Sequence, residues 1–224
     1  MTCYQRMHEV VLGVTRPEQP LDWDAILWDW MGVTDVHDRD HMLERMGVQP
    51  IDVYLFPGAD LEAYTGLIIS GRVDQELLYR ERDKIRAFLD AGKTVVFSGQ
   101  LFREWLPGAP GTVPVDLSDL GGTGAVTVRA HPVLDGLTAE QLGANFVHGY
   151  NPTPPGAEVV LALPDDRAAI YVDRTTTGGT ILAHAGINFM NYIVEDTEVR
   201  EMIPRLIAWI NEEATTREHA AVPA

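Results

Sequence analysis

The sequence predicts an α/β fold: a mostly parallel central sheet flanked by helices, with extra short antiparallel strands in the second half. Three observations carry this. The apolar runs "IDVYLFPG" (51–58), "GLIISG" (66–71) and "TVVF" (94–97) lack polar alternation, which suits parallel strands buried on both faces. Between the last two lies "VDQELLYRERDKIRAFLDAG", where Val73, Leu77, Leu78, Ile85, Phe88 and Leu89 recur at helical spacing and Gly92 closes the helix. Strand, helix and strand make a βαβ unit, whose fixed hand puts the helix on one face of the sheet. The second half instead alternates short β-rich segments with turns.

The remaining elements follow in chain order. "EVVLGV" (9–14) is a first strand, and the two prolines of "RPEQP" force a loop after it. "LDWDAILWDWMGV" reads equally as a short helix or a surface lid. "DVHDRDHMLERMG" is a short helix with Asp35 as N-cap, Val36, Leu43 and Met46 on one face, and Gly47 as the stop. "PGAPGTVPVDLSDLGGTG" is a long loop. "AVTVRAH", "NFVHGY", "AEVVLALP", "AAIYVDR" and "GTILAHAG" are short strands. A last helix is expected over about 197–213, with Thr197 as N-cap and Pro204 kinking it or breaking its first turn. Residues 1–214 read as a single α/β domain and 215–224 as a flexible tail.

Composition bounds the function. The chain has 224 residues, 46% of them hydrophobic, enough for a large core without staples. A net charge of −16 repels nucleic acid and anionic membranes. One cysteine, Cys3, cannot make an internal disulfide, and no signal-peptide core or membrane-length apolar run is present, so a cytoplasmic protein is expected. No cofactor motif stands out. A homodimer is expected only because homo-oligomers are common.

The segments "YTGLIISG", "FLDAGKTVVFSG", "HPVLDGL" and "GGTILAHAGINF", followed by a C-terminal helix, resemble in their order the class I glutamine amidotransferase-like superfamily. The likeness is closest to its trehalose-utilisation-like members. It implies a flavodoxin-like three-layer sandwich. It puts Ser98 where the family carries its nucleophilic cysteine and His184 where it carries its catalytic histidine. "SGR" (70–72) falls where the family presents backbone amides to an oxyanion. Three departures remove the family's glutaminase chemistry from what is expected here. Serine replaces the cysteine, Val96 and Gln100 replace the glycines that flank the nucleophile elbow, and Gly186 replaces the glutamate of the His-x-Glu pair.

The candidate site residues are therefore Ser98 and His184, with Gly71, Arg72, Gly99 and Gln100 as ligand-binding neighbours. The open-sheet rule points to the same place, since ligands bind outside the carboxyl ends of parallel strands. Two readings stay open. The leading one is a protein without glutaminase activity that binds a small polar molecule, such as a sugar, or serves as a structural partner. The other is an ester or amide hydrolase in which Ser98 attacks, His184 accepts its proton, and Glu195, Asp196 or Glu104 orients the imidazole. Each residue also has a plainer use: Ser98 and Gly71 as turn residues, Arg72 as a solvated cation, His184 as a buried ring satisfied by backbone. His37 and His41, four apart on a helix, offer two ligands for a metal-dependent alternative, though an acidic solvated helical turn explains them as well. Trp23, Trp28 and Trp30 beside Asp22, Asp24 and Asp29 suit either sugar stacking or packing.

Overall fold

The computed structural model describes residues 10–23, 26, 36–116, 118, 121–122, 125–143, 147–186, 188–190 and 198–221. Eight strands form one sheet in the order β2-β1-β3-β4-β10-β9-β8-β6. They are β1 (Val10–Val14), β2 (Val48–Asp52), β3 (Gly66–Ser70), β4 (Thr94–Ser98), β6 (Thr127–Val128), β8 (Glu158–Ala162), β9 (Ala168–Asp173) and β10 (Thr180–His184). A separate two-stranded pair joins β5 (Val113–Pro114) to β7 (Gly149–Tyr150). The helices are α1 (Val36–Arg45), α2 (Gln75–Arg80), α3 (Arg82–Asp90), α4 (Ala139–Gly143) and α5 (Met202–Ala221).

The sheet is mixed, which corrects the expectation of a mostly parallel one. The central strands β3, β4 and β10 run parallel, and every other neighbouring pair is antiparallel. The physical reason is that an unbroken apolar run reports burial on both faces and says nothing about direction. Strand β9 is buried along its whole length and still pairs antiparallel with both neighbours. The run 51–58 also departs from the expected strand. Strand β2 ends at Asp52, whose Oδ1 accepts the Tyr54 N–H at 2.8 Å, and Pro57 sits in a 3₁₀ turn over Phe56–Gly58. The segment 73–92 forms two helices that meet at Glu81. Asp74 caps the first of them by accepting the Leu77 N–H at 3.0 Å.

Side-chain alternation splits the core into two halves. Leu67, Ile69, Val95, Phe97, Ile181 and Ala183 face α2 and α3, which supply Leu77, Leu78, Ile85, Phe88 and Leu89. Ile68, Val96 and Leu182 face the opposite way, toward Leu43 and Met46 of α1 and Met202, Leu206 and Ile210 of α5. By the same parity Ser70, Ser98 and His184 fall on the α5 side of the sheet. The parallel register then sets Ser70 beside Ser98 and Ser98 beside His184, three polar groups in a row at the carboxyl ends.

Helix α5 starts after a 3₁₀ turn at Glu198–Glu201 and continues through Ala221, into the stretch expected to be a loose tail. Pro204 is its third residue, in the first turn, where the missing N–H has no intrahelical acceptor to lose. Ion pairing fixes the far side of the helix. Arg174 Nη2 lies 2.6 Å from Glu213 Oε1, and Thr180 Oγ1 donates to Glu213 at 2.8 Å. Among the described residues no helix is long and apolar enough to cross a membrane.

Candidate ligand-binding site

Strands β3 and β4 both end in Ser-Gly, and the repetition has a steric cause. A Cβ on Gly99 would stand 2.4 Å from Gly71 Cα, and one on Gly71 would stand 2.7 Å from Gly99 Cα. Gly99 also takes a φ of +152°, which side chains disfavour. The two backbones pinch together just beyond the serines. Gly71 N–H donates to Ser98 O at 2.9 Å, and Gly99 N–H donates to His184 O at 3.0 Å. Both amides that were expected to face a ligand or an oxyanion are therefore used in holding the ends of three strands together.

Ser98 and His184 meet. Ser98 Oγ lies 2.8 Å from His184 Nδ1, and the Phe189 N–H donates to the same hydroxyl at 3.2 Å. The imidazole stacks on the Phe189 ring at 4.6 Å with 20° between planes. Both side chains are fully enclosed, at 0% exposure. Ser98 has strand conformation, and among the described residues Asp166 alone of the non-glycines has a positive φ. No helix follows β4 directly, since residues 99–112 are a loop. The strained strand-turn-helix elbow of the resembled family is thus not formed at Ser98.

A residue that the sequence reading passed over organises the mouth. Gln75, 1% exposed, opens α2. Its amide nitrogen donates to Gly71 O and to Gln100 O, each at 2.8 Å. Its Oε1 accepts the Phe102 N–H at 3.1 Å and the Trp105 Nε1–H at 3.3 Å. Two donors and two acceptors are all that this side chain possesses, and all four are matched. Gln75 thereby fastens the β3–α2 loop to the loop after β4.

Between these loops lies a cleft of about 260 Å³. Ser70, Gly71 and Arg72 form one wall, and Ser98, Gly99, Gln100 and Phe102 form the other. His148, Gly186 and Asn188 close it. An isolated bridge between Val147 and Gly186, with His148 N–H donating to Ala185 O at 2.9 Å, brings His148 to the mouth. Asn188 Oδ1 accepts the Met190 N–H at 3.1 Å.

All six of the expected residues Ser98, His184, Gly71, Arg72, Gly99 and Gln100 converge on this end of the sheet, five of them lining the cleft and His184 beneath Ser98. Glu104 does not join them. It lies, exposed, in a separate groove of about 530 Å³ shared with Arg82 and Arg86. Glu195 and Asp196 lie outside the described residues, as do Trp28, Trp30, Asp24 and Asp29. Trp23 packs, half-buried, against the α5-side core. His41 is exposed, 3.9 Å from Glu44, and the side chain of His37 is outside the description. Among the described residues no three metal-ligating side chains cluster.

Phe102, His148 and Asn188 were missed as cleft residues. Each arrives through a loop or an isolated bridge whose path the local pattern does not encode. For Gln75 the one available signal was a polar residue inside the first turn of an otherwise apolar helix face. No protein-family model matches the chain, and no curated protein is significantly similar to it.

Proposed function

We propose that this chain is an amidotransferase-like α/β protein, of the flavodoxin-like three-layer class, that lacks glutaminase chemistry and binds a small polar molecule at the carboxyl-end cleft. The observation that carries this reading is the division of labour at the site. The buried groups are paired with one another: Ser98 with His184 and Phe189, Gly71 and Gly99 with carbonyls. The cleft above them is lined by polar side chains, among them Arg72, Gln100, His148 and Asn188. Polar groups converging on a concave surface at strand ends are what a ligand site requires. A thermal-shift screen of small polar molecules tests it. A ligand at about a hundred times its Kd adds about 2.7 kcal/mol and raises Tm by several degrees. The gain should vanish in Arg72→Ala/Gln100→Ala; a gain of equal size in that variant would place the ligand elsewhere.

One observation favours a second reading, a serine hydrolase. The 2.8 Å contact between Ser98 Oγ and His184 Nδ1 is within the reach that a nucleophile and its base need. Against it stand the enclosed hydroxyl, the committed amides and the relaxed strand geometry at Ser98. A hydrolase needs an oxyanion site preorganised with spare donors, and the Gly71 and Gly99 amides are already bonded to strand carbonyls.

A further inference from the structure

The groove of about 530 Å³ lies between α3 and the loop 104–110, apart from the strand-end cleft. Arg82, Asp83 and Arg86 of α3 form one wall, and Glu104 stands on the other. Trp105, Leu106 and Ala109, all buried, give it an apolar floor. The loop is held in shape. Trp105 Nε1–H donates to Gln75 at 3.3 Å, and its ring stands edge-on to Phe97 at 5.4 Å. Ala109 N–H donates to Leu106 O at 3.1 Å, and Gly108 takes a φ of +76°, which with Pro107 before it makes a type II turn. A preformed concave surface binds without the cost of ordering it.

The second observation is charge. Arg103, Arg129, Arg167, Arg174 and Arg205 each lie within 3.1 Å of a carboxylate oxygen. In the groove, opposite charges line one space and stay apart. Arg82 gives one N–H to Tyr79 O at 2.7 Å and lies over that ring at 4.5 Å, but has no carboxylate partner among the described residues. Arg86 Nε lies 3.7 Å from Asp90 Oδ2, too far for a hydrogen bond. Neither Asp83 nor Glu104 has an ion-pair partner among the described residues. All four side chains belong to exposed residues, and Arg82 and Arg86, four apart, share a face of α3. Guanidinia and carboxylates that do not neutralise one another leave donors and acceptors for a molecule carrying both charges. The volume falls within the roughly 300–1,000 Å³ of small-molecule sites.

We propose that this groove binds a zwitterionic α-amino acid with an apolar side chain. Its carboxylate lies on Arg82 and Arg86, its ammonium on Glu104 and Asp83, and its side chain over Leu106 and Ala109. Both ionic contacts are charge-assisted, and a guanidinium matches a planar carboxylate with two parallel N–H donors. A free amino acid and a short peptide share this chemistry.

Titration calorimetry on the full chain tests this with leucine, leucyl-leucine, glycine, 4-methylpentanoate and 3-methylbutylamine as probes. Leucine or leucyl-leucine should bind at least tenfold tighter than glycine, which lacks the side chain, and than the acid and the amine, which each lack one charge. Whichever of the two wins identifies the source as a free amino acid or a peptide. Arg86→Gln should weaken leucine and leave the amine unchanged, whereas Glu104→Gln should weaken leucine and leave the acid unchanged. Both side chains are exposed, and circular dichroism checks that the variants fold. Binding by the acid or the amine as tight as by leucine, or leucine binding unaltered in both variants, would overturn the assignment. So would binding by neither leucine nor leucyl-leucine. The variant Arg72→Ala/Gln100→Ala separates the two sites, since leucine binding lost there would put the amino acid in the strand-end cleft and overturn the assignment to this groove.

Discussion

Ser98, a candidate nucleophile in the sequence, is fully enclosed in the fold. It accepts from Phe189 N–H, pairs with His184 Nδ1, and has no exposure. Ser98→Ala would leave a buried imidazole nitrogen and a buried amide without their partner. We expect a loss of about 1–3 kcal/mol in urea unfolding. A loss below about 0.5 kcal/mol would mean that the pair contributes little to the fold. Gln75→Leu is expected to cost about 3 kcal/mol, because four groups lose their partner. The Ser-Gly repeat was legible as two turns. Its meaning, a backbone contact between Gly71 and Gly99, was not, since nothing local tells one strand end how close the other lies. That Ser98, His184, Arg72 and Gln100 come together at one end of the sheet was legible, because strand ends in register collect there. Gln75 was not, because its partners are carbonyls and amides, which any sequence supplies.

At the scale of elements, the strands buried on both faces were legible and their directions were not. Apolar runs at 66–70 and 94–98 became the parallel pair β3 and β4, whereas β1 and β9, equally apolar, run antiparallel. Direction is decided by the connections, and the short turn between β8 and β9 can only reverse the chain. The docking of α5 on the sheet depends on Gly66. A Cβ there would fall 2.3 Å from Ile210 Cγ2, and Ile210 is fully buried. Gly66→Ala should therefore destabilise by about 1–3 kcal/mol through overpacking. Combined with Ile210→Ala, which makes the space, it should cost less than the sum of the two single changes. Strict additivity in that double-mutant cycle would show that α5 does not press on β3 at this point.

Over the whole molecule, the acidic composition was plain from the sequence, but the groups that couple the fold to pH were not. His131 is 8% exposed and lies edge-on to Trp209 of α5 at 5.2 Å. Its Nδ1 accepts the Val133 N–H at 3.3 Å. Burial holds the imidazole below its ordinary pKa, outweighing the pull of Glu158 and Glu213. The unfolded chain, with histidine near 6.5, thus binds the proton more readily than the folded one. The contribution of His131 is present above about pH 6.5 and is lost as the pH falls from there through the lower folded value. The urea midpoint should fall between pH 7.5 and 5.5, and His131→Phe should flatten that fall; an unchanged pH slope in the variant would assign the dependence to other groups.

The central claim is that Ser98 and His184 floor a binding cleft and do not act as a nucleophile and its base. Its most direct test is labelling of the folded wild type with a broad fluorophosphonate, followed by intact mass, with Ser98→Ala alongside. The account predicts no adduct on either protein. A single stoichiometric adduct on the wild type that disappears in Ser98→Ala would contradict it and make the chain a serine hydrolase.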